Sequence, residues 1–208
     1  MELSQVPKCE ASPPHERRPQ RSGNREYGIG ISEKPSSSRG WLFAVGYSLP
    51  VVYRLYRAED FSQLYAIELE CFKPPFRFAR GYMRELIEGP DSATWIAEEQ
   101  GRMTGFAIAV WVPDPEQTIA YIQTLEVAPE HRRRGIGKRL LRHLEISARN
   151  AGAEAVWLHV AEQNPSAIRL YQAHGYFPQG REEDYYAPGV HALTYAKALP
   201  KSRSKTPA

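Results

Sequence analysis

One run of this chain brings charge, glycine and apolar periodicity together: "VAPEHRRRGIGKRLL", from Val127 to Leu141. Arg132, Arg133 and Arg134 lead into Gly135 and Gly137, and Ile136, Leu140, Leu141, Leu144 and Ala148 recur at the spacing of one helix face. A strand ending at Val127, with Pro129 barring further ladder pairing, would feed this basic loop into a helix start at Gly135. A helix start of this kind binds anions. Its first N–H groups lack intrahelical partners, the helix dipole adds partial positive charge, and glycine leaves room for a phosphate to approach. Spacing then separates the known phosphate loops. A Walker A loop needs glycine at Arg132 and Ser or Thr at Arg139, and a dinucleotide fingerprint from Gly135 needs its third glycine at Leu140. Both fail.

The elements that must hold this loop can be read on either side of it. "VVYRLYRA" reads as a strand, and "EDFSQLYAIELECF" follows with Phe61, Leu64, Ile67 and Cys71 at helical spacing. After "KPPFRFA" a second helix runs through "YMRELIEG" and stops at Gly89 and Pro90. "TWIAEE", "MTGFAIAVWV" and "TIAYIQTLEVA" are three successive strands, with a tight turn at "QGR". The helix after the basic loop extends to about Arg149, followed by the strand "AVWLHVA", a short helix "PSAIRLYQAH" capped at Gly175, and two last strands around "YF" and "HALTYAKAL". Strands with interspersed helices but no strict alternation predict an α+β fold, with about seven strands in a mixed, mostly antiparallel sheet flanked by about four helices.

Composition limits the rest. With 208 residues, 42% of them hydrophobic, the chain can bury one proper core. Residues 1–50, with passages such as "ASPPHERRPQRSGNRE" and "EKPSSSRG", have too little apolar surface to offset ordering entropy and are expected to form a disordered tail. The expected domain is 51–199, and 200–208 reads as a frayed end. The tail has a functional reading as a basic arm for RNA or the ribosome. Its interleaved acidic residues favour a spacer, or a start codon placed too far upstream. A net charge of +3 is too weak to imply nucleic acid by itself. Cys9 and Cys71 fit neither a disulfide framework nor a zinc spacing, and no apolar run approaches a membrane span. These features predict a cytoplasmic protein without a signal peptide.

The pattern that does fit the basic loop is R-x-x-G-x-G, at Arg132, Gly135 and Gly137, after a strand ending V-x-P. It resembles the pyrophosphate loop of the GNAT superfamily of acetyl-CoA-dependent N-acetyltransferases. About twenty residues on, "WLHVAEQNPSAIRLYQAHGYF" resembles the second block of that family. The resemblance implies a single GNAT domain with acetyl-CoA as cosubstrate, and nothing in the residues implies a metal. It places the coenzyme against Leu125, Val127, Arg132, Arg133, Arg134, Gly135, Ile136, Gly137 and Lys138, with Asn164 on the pantetheine arm and Tyr171 near the sulfur.

"YIQTLEVAPEHRRRGIGKRLL" through "DYYAPGVHALTYAKAL" further resembles the N-terminal-amine acetyltransferases, including the bacterial ribosomal-protein-alanine enzymes and the eukaryotic NatE type. Bacterial enzymes carry Glu in their W-L-E-V strand, where this chain has His159. The NatE-type pattern has L-H-V together with a tyrosine on the preceding strand, which His159 and Tyr121 match. By the same resemblance Tyr185 and Tyr186 hold the peptide backbone of an acceptor, and Phe72, Pro75 and Phe76 form another wall of its site. The implied partner is a peptide or protein N-terminus, with the ribosome as a further candidate and neither membrane nor nucleic acid expected.

The chemistry agrees with those roles. An α-amine with a pKa of about 8 must shed a proton before it attacks a thioester, and imidazole suits that task directly or through one water. The plainer reading of His159 is a packed histidine satisfied by a carbonyl. Tyr121 would hold the bridging water or share the base role, although simple alternation puts it on the face of Gln123, Leu125 and Val127; one bulge would reverse that. Tyr171 can protonate the departing thiolate, and a strand N–H near Val127 can polarise the carbonyl. Glu126 stands as a second candidate base, but is read more simply as an exposed strand carboxylate. Cys71 lies outside both coenzyme blocks, so no acyl-enzyme is expected. His131, His143, His174 and His191 share no metal spacing, and the acidic "REED" at 181–184 reads as a solvated loop. A small-molecule or lysine acetyltransferase remains open, as does a non-enzymatic acyl-CoA-binding or RNA-binding module.

Overall fold

The computed structural model describes residues 50–112 and 117–200. Both expected tails lie outside these apart from residue 50 and residue 200 at their inner ends. Among the described residues seven strands form one sheet in the order β1-β2-β3-β4-β5-β7-β6. These are β1 (Val52–Leu55), β2 (Ser92–Glu99), β3 (Arg102–Val112), β4 (Ile119–Val127), β5 (Ala155–Ala161), β6 (Phe177–Ala187) and β7 (Val190–Ala198). Every pairing is antiparallel except β4 with β5. Four described α-helices flank the sheet: α1 (Phe61–Cys71), α2 (Arg80–Glu88), α3 (Ile136–Asn150) and α4 (Pro165–Ala173). The α+β architecture expected from the sequence is the one observed. No described helix is long and apolar enough to cross a membrane.

The helices build two separate cores against the sheet. The apolar stripe of α3, with Leu140, Leu141 and Leu144 fully buried, packs on Ala107, Ala109, Ala120, Ile122, Val156 and Leu158. On the other core, Phe61, Leu64 and Ile67 of α1 join Met83 and Ile87 of α2 against Ile96, Phe106 and Ile108. Adjacent residues of the same strand therefore enter different cores, as the two-residue period of a strand requires.

Two interruptions of that period position the site. In β4 the register against β3 jumps from Ala109 opposite Ile122 to Ile108 opposite Thr124, so Gln123 is an extra residue. Ile122 shares the α3 core, and Leu125 and Val127 pack against it. Tyr121 consequently shares its face with Thr124 and Glu126, not with Leu125 and Val127 as simple alternation predicts. In β6 the register passes from Glu182 opposite Ala192 to Ala187 opposite Val190, which leaves residues 183–186 bulged outward. Asp184 holds this bulge in a left-handed conformation (φ 53°), with the Asp184 N–H donating to His191 Nδ1 at 3.1 Å and the Gly189 N–H donating to Asp184 Oδ1 at 2.7 Å. The "REED" segment is thus part of a strand that runs from Phe177 to Ala187, rather than a solvated loop.

Candidate functional site

The residues expected to form the coenzyme loop assemble where β4 and β5 part. The two strands pair only from Ile119 opposite Ala155 to Ile122 opposite Leu158. Beyond that point β4 keeps its ladder to β3 but presents an open edge toward β5. Leu125 and Val127 line this opening, and Gly137 of α3 sits so close that an added Cβ would lie 3.3 Å from Leu125 Cδ2. Gly135 caps α3 at φ 79°, a left-handed geometry suited to glycine, and the space around its missing Cβ is empty. The first helical bond of α3 is donated by the Arg139 N–H to the Gly135 carbonyl at 3.2 Å, so the N–H groups of residues 136–138 precede it.

The basic side chains divide. Arg132 folds back so that Nε donates to the Val127 carbonyl at 2.9 Å and Nη2 to Cys71 Sγ at 3.5 Å. Arg134 reaches across to β2, donating to both carboxylate oxygens of Glu99 at 2.9 and 2.6 Å. Arg133 stands exposed in a left-handed conformation (φ 62°). The Ile136 side chain is buried in the α3 core, so only its backbone faces the loop. Lys138 lines a basic groove along α3 with Arg134, Arg139, Arg142 and Arg149.

Asn164 caps α4, its Oδ1 accepting the Ala167 N–H at 3.1 Å, which leaves its amide nitrogen as the donor for a ligand. Tyr171 lies buried with its ring edge-on to Tyr176, centroids 5.5 Å apart. Burial pushes its hydroxyl well above the ordinary phenol range, so it is a protonated donor.

On the opposite face of the sheet the other predicted residues converge. Tyr121 from β4 hydrogen-bonds through its hydroxyl to Nδ1 of His159 on β5. The two imidazole nitrogens are both engaged, since Nε2 lies 2.6 Å from Glu182 Oε1 on β6. Tyr185 stacks on the His159 ring with centroids 4.2 Å apart, and its hydroxyl lies 3.4 Å from that of Tyr121. Tyr186 packs edge-on against Tyr185 and, 5.0 Å away, meets Phe76 from the α1–α2 loop. In that loop Phe72 terminates α1 and Pro75 stands exposed. Burial, then the neighbouring Tyr185, raises the Tyr121 hydroxyl, which keeps it a phenol. The same causes raise Tyr186.

Two groups lie where the sequence did not suggest them. Glu126 is only 2% exposed and Glu68 of α1 is fully buried. Glu126 Oε1 accepts the Thr124 hydroxyl at 2.9 Å, and Glu68 Oε1 accepts the Phe78 N–H at 2.7 Å. The remaining oxygen of each is buried, and the two carboxyls lie close enough to interact. Burial first, and the Glu68 carboxyl second, push Glu126 far above the carboxylate range and hold it protonated. An exposed strand carboxylate is therefore the wrong description of Glu126. Glu68 was legible in part, because it falls four residues after Leu64 on the buried helix stripe. Cys71 sits beside this pair, and burial followed by the Glu126 carboxyl raises its thiol to about 11. Among the described residues no cluster of three or more His, Cys, Asp or Glu suits a metal ion.

The family model for the acetyltransferase (GNAT) family matches residues 61–176, which contain the Arg132 to Gly137 loop, the second block up to Tyr176 and the splayed strands. This chain belongs to the GNAT acetyltransferase family. It is similar to the streptothricin acetyltransferase of Streptomyces lavendulae, with 37% identity over 118 residues, 54% of this chain and 61% of that one. The chain thus spans less than two thirds of that relative's length. It is also similar to a putative ribosomal protein bS18-alanine N-acetyltransferase of Bacillus subtilis, 28% identical over 62% of this chain and 83% of that one. In structure, the GNAT chain resembles Arabidopsis thaliana NAA60 in complex with acetyl-CoA, with a TM-score of 0.65 and 24% identity over 72% of this chain and 99% of that one. This likeness shows the shared fold.

Proposed function

We propose that this GNAT-family enzyme transfers acetyl from acetyl-CoA to the N-terminal α-amine of a protein, a ribosomal protein being one such acceptor. The observation that carries the reading is the acceptor-side constellation. A phenol and an imidazole joined by a hydrogen bond, with Tyr185, Tyr186 and Phe76 around them, line one face at the point where β4 opens from β5. The likeness to the bS18-alanine relative supports the same acceptor class.

Acetyl-CoA as donor is supported by family membership and by the α3 terminus, where the residue 136–138 N–H groups and Gly135 suit a pyrophosphate. Arg132, Arg133, Arg134 and Lys138 add positive charge nearby, and the Asn164 amide and the Leu125 and Val127 edge suit the pantetheine arm. The acceptor enters as an ammonium and must lose a proton, taken on the Tyr121 and His159 side. Its nitrogen then forms the N–C bond to the acetyl carbonyl, which an open-edge N–H of β4 near Val127 polarises. The C–S bond breaks, and the Tyr171 hydroxyl gives its proton to the thiolate. The nitrogen's second proton and the proton held on the Tyr121 and His159 side leave to solvent, and Tyr171 is reprotonated from solvent. No side chain need carry the acetyl group, and a thiol held at about 11 makes Cys71 a poor nucleophile at neutral pH. Neither the pair Tyr121 and His159 nor Tyr171 requires a metal for these steps.

A small-molecule amine is the second reading, favoured by the 37% identity to the streptothricin enzyme. Acetyl-CoA turnover, read as thiol release, separates the two. The acceptors are short peptides with free N-termini, the same peptides N-terminally blocked and carrying an internal Lys, and polyamine and streptothricin-like amines. Turnover confined to free N-termini is expected. Turnover only on blocked peptides or small amines would discard the N-terminal assignment while keeping the coenzyme.

A further inference from the structure

We infer that Glu182 is a positioning residue for His159, selecting the imidazole tautomer whose Nδ1 lone pair accepts the Tyr121 hydroxyl proton. This rests on the acceptor-side reading above. The sequence run that contains Glu182 looks like ordinary surface charge. The bulge of residues 183–186 lets Glu182 remain in register with Ala192 while Tyr185 returns over the His159 ring.

The argument is one of donors and acceptors. Glu182 Oε1 lies 2.6 Å from Nε2, and a carboxylate only accepts. A lone pair on Nε2 would therefore face an oxygen lone pair at close range, which is repulsive, so Nε2 carries hydrogen. In the neutral ring Nδ1 is then the acceptor, and its partner is the Tyr121 hydroxyl. Tyr121 is largely buried and stays a phenol, so it has a proton to give. With both ring nitrogens engaged, neither meets an incoming amine directly. The proton route runs through the phenol: the ammonium N–H proton passes to Tyr121 Oη as the Tyr121 proton passes to His159 Nδ1. One N–H bond and one O–H bond break, one O–H bond and one N–H bond form, and the positive charge moves from the ammonium to the imidazolium. Glu182, 2.6 Å from the far nitrogen, lies where it stabilises that charge. The other Glu182 neighbours are occupied elsewhere, since Arg181 pairs with Glu162 and Glu183.

The test uses the full chain and two readouts. The ring-nitrogen shifts of His159, from 15N-histidine labelling without acceptor and assigned by difference from His159→Gln, should show hydrogen on Nε2 in the wild type. In Glu182→Ala the Nδ1–H form should gain population. In steady-state kinetics with acetyl-CoA and the best free-N-terminus peptide, Glu182→Ala should lose on the order of 10-fold or more in kcat with KM for both substrates nearly unchanged. Glu182→Gln, which keeps an acceptor but not the charge, should retain Nε2–H and fall between the two in kcat. Wild-type hydrogen on Nδ1, an unchanged tautomer in Glu182→Ala, or an unchanged kcat in that variant would overturn the assignment. If the wild type acetylates none of the free-N-terminus peptides, the acceptor reading falls. The tautomer comparison then decides the role of Glu182 alone, with Nδ1–H gain supporting it and no change overturning it.

Discussion

The two faces of the sheet around β4 are built on different principles. Toward α3 the strands present Ala, Val, Leu and Ile to a helix stripe, and the proposed coenzyme loop follows from a contiguous strand, loop and helix. Toward α1 and α2 the same strands bury Thr124 and Glu126, bring Tyr121 and His159 together, and meet partners from β6 and the α1–α2 loop. On one face the core is mainly apolar, and the loop above it comes from one contiguous run of sequence. The other collects residues from Glu68 to Tyr186 and places polar groups where water is scarce, where each hydrogen bond has a large effect on which side chain can act. An anion site can be made from backbone and a helix end, but an acceptor site needs side chains from several strands.

Four experiments probe that contrast, in order of decreasing effect. Gly135→Glu places a carboxylate at the open, left-handed cap of α3. Acetyl-CoA binding by calorimetry should fall below detection while circular dichroism stays native; retained affinity would remove the coenzyme loop from this helix end. His159→Ala strikes the other face. It should lower kcat on the order of 100-fold and leave acetyl-CoA affinity intact, and a comparable loss of coenzyme binding would show that the two faces are not separable.

Gly105→Ala tests how closely the strands beneath the site must approach. A Cβ there would lie 2.5 Å from the Glu126 carbonyl oxygen, which is backbone and cannot swing aside. Denaturant unfolding should register a cost of about 1–3 kcal/mol. Stability equal to the wild type would mean that β3 and β4 can separate without consequence.

The smallest effect concerns Glu126. Its folded-state carboxyl is raised above its unfolded value, so its contribution to stability is complete below about pH 4 and is lost as pH rises toward the folded value. Glu126→Gln keeps an acceptor for Thr124 without an ionisable proton. Its melting temperature should exceed that of the wild type by a few degrees at pH 8.5, with the gap closing at pH 5. A gap independent of pH would place the proton elsewhere.

Most of the fold was legible because its signals are local. The α3 stripe from Ile136 to Ala148, the stop of β4 before Pro129 and the end of α4 ahead of Gly175 all act over a few residues. The length of β6 was not, since its outward residues are charged and read as a loop while only pairing with β7 shows them to be strand. Glu126 misled for a related reason. Alternation correctly separates it from Leu125 and Val127, but nothing near it in sequence reveals that α1 covers its face with Glu68 and Cys71.

The sequence by itself determined the helices and most strands, and it offered the Arg132 to Gly137 loop and His159, Tyr121 and Tyr171 as candidates for binding and proton transfer, because spacing and residue type carry that information within single elements. Only the tertiary structure decided which face Tyr121 occupies, which nitrogen of His159 meets Glu182, and that Glu126 is buried. Those outcomes depend on an extra residue at Gln123, a bulge between Glu182 and Ala187, and the packing of α1 over β4. The first two are long-range choices of register, where a shift of one residue turns every following side chain to the opposite face, and the third is a contact between distant segments.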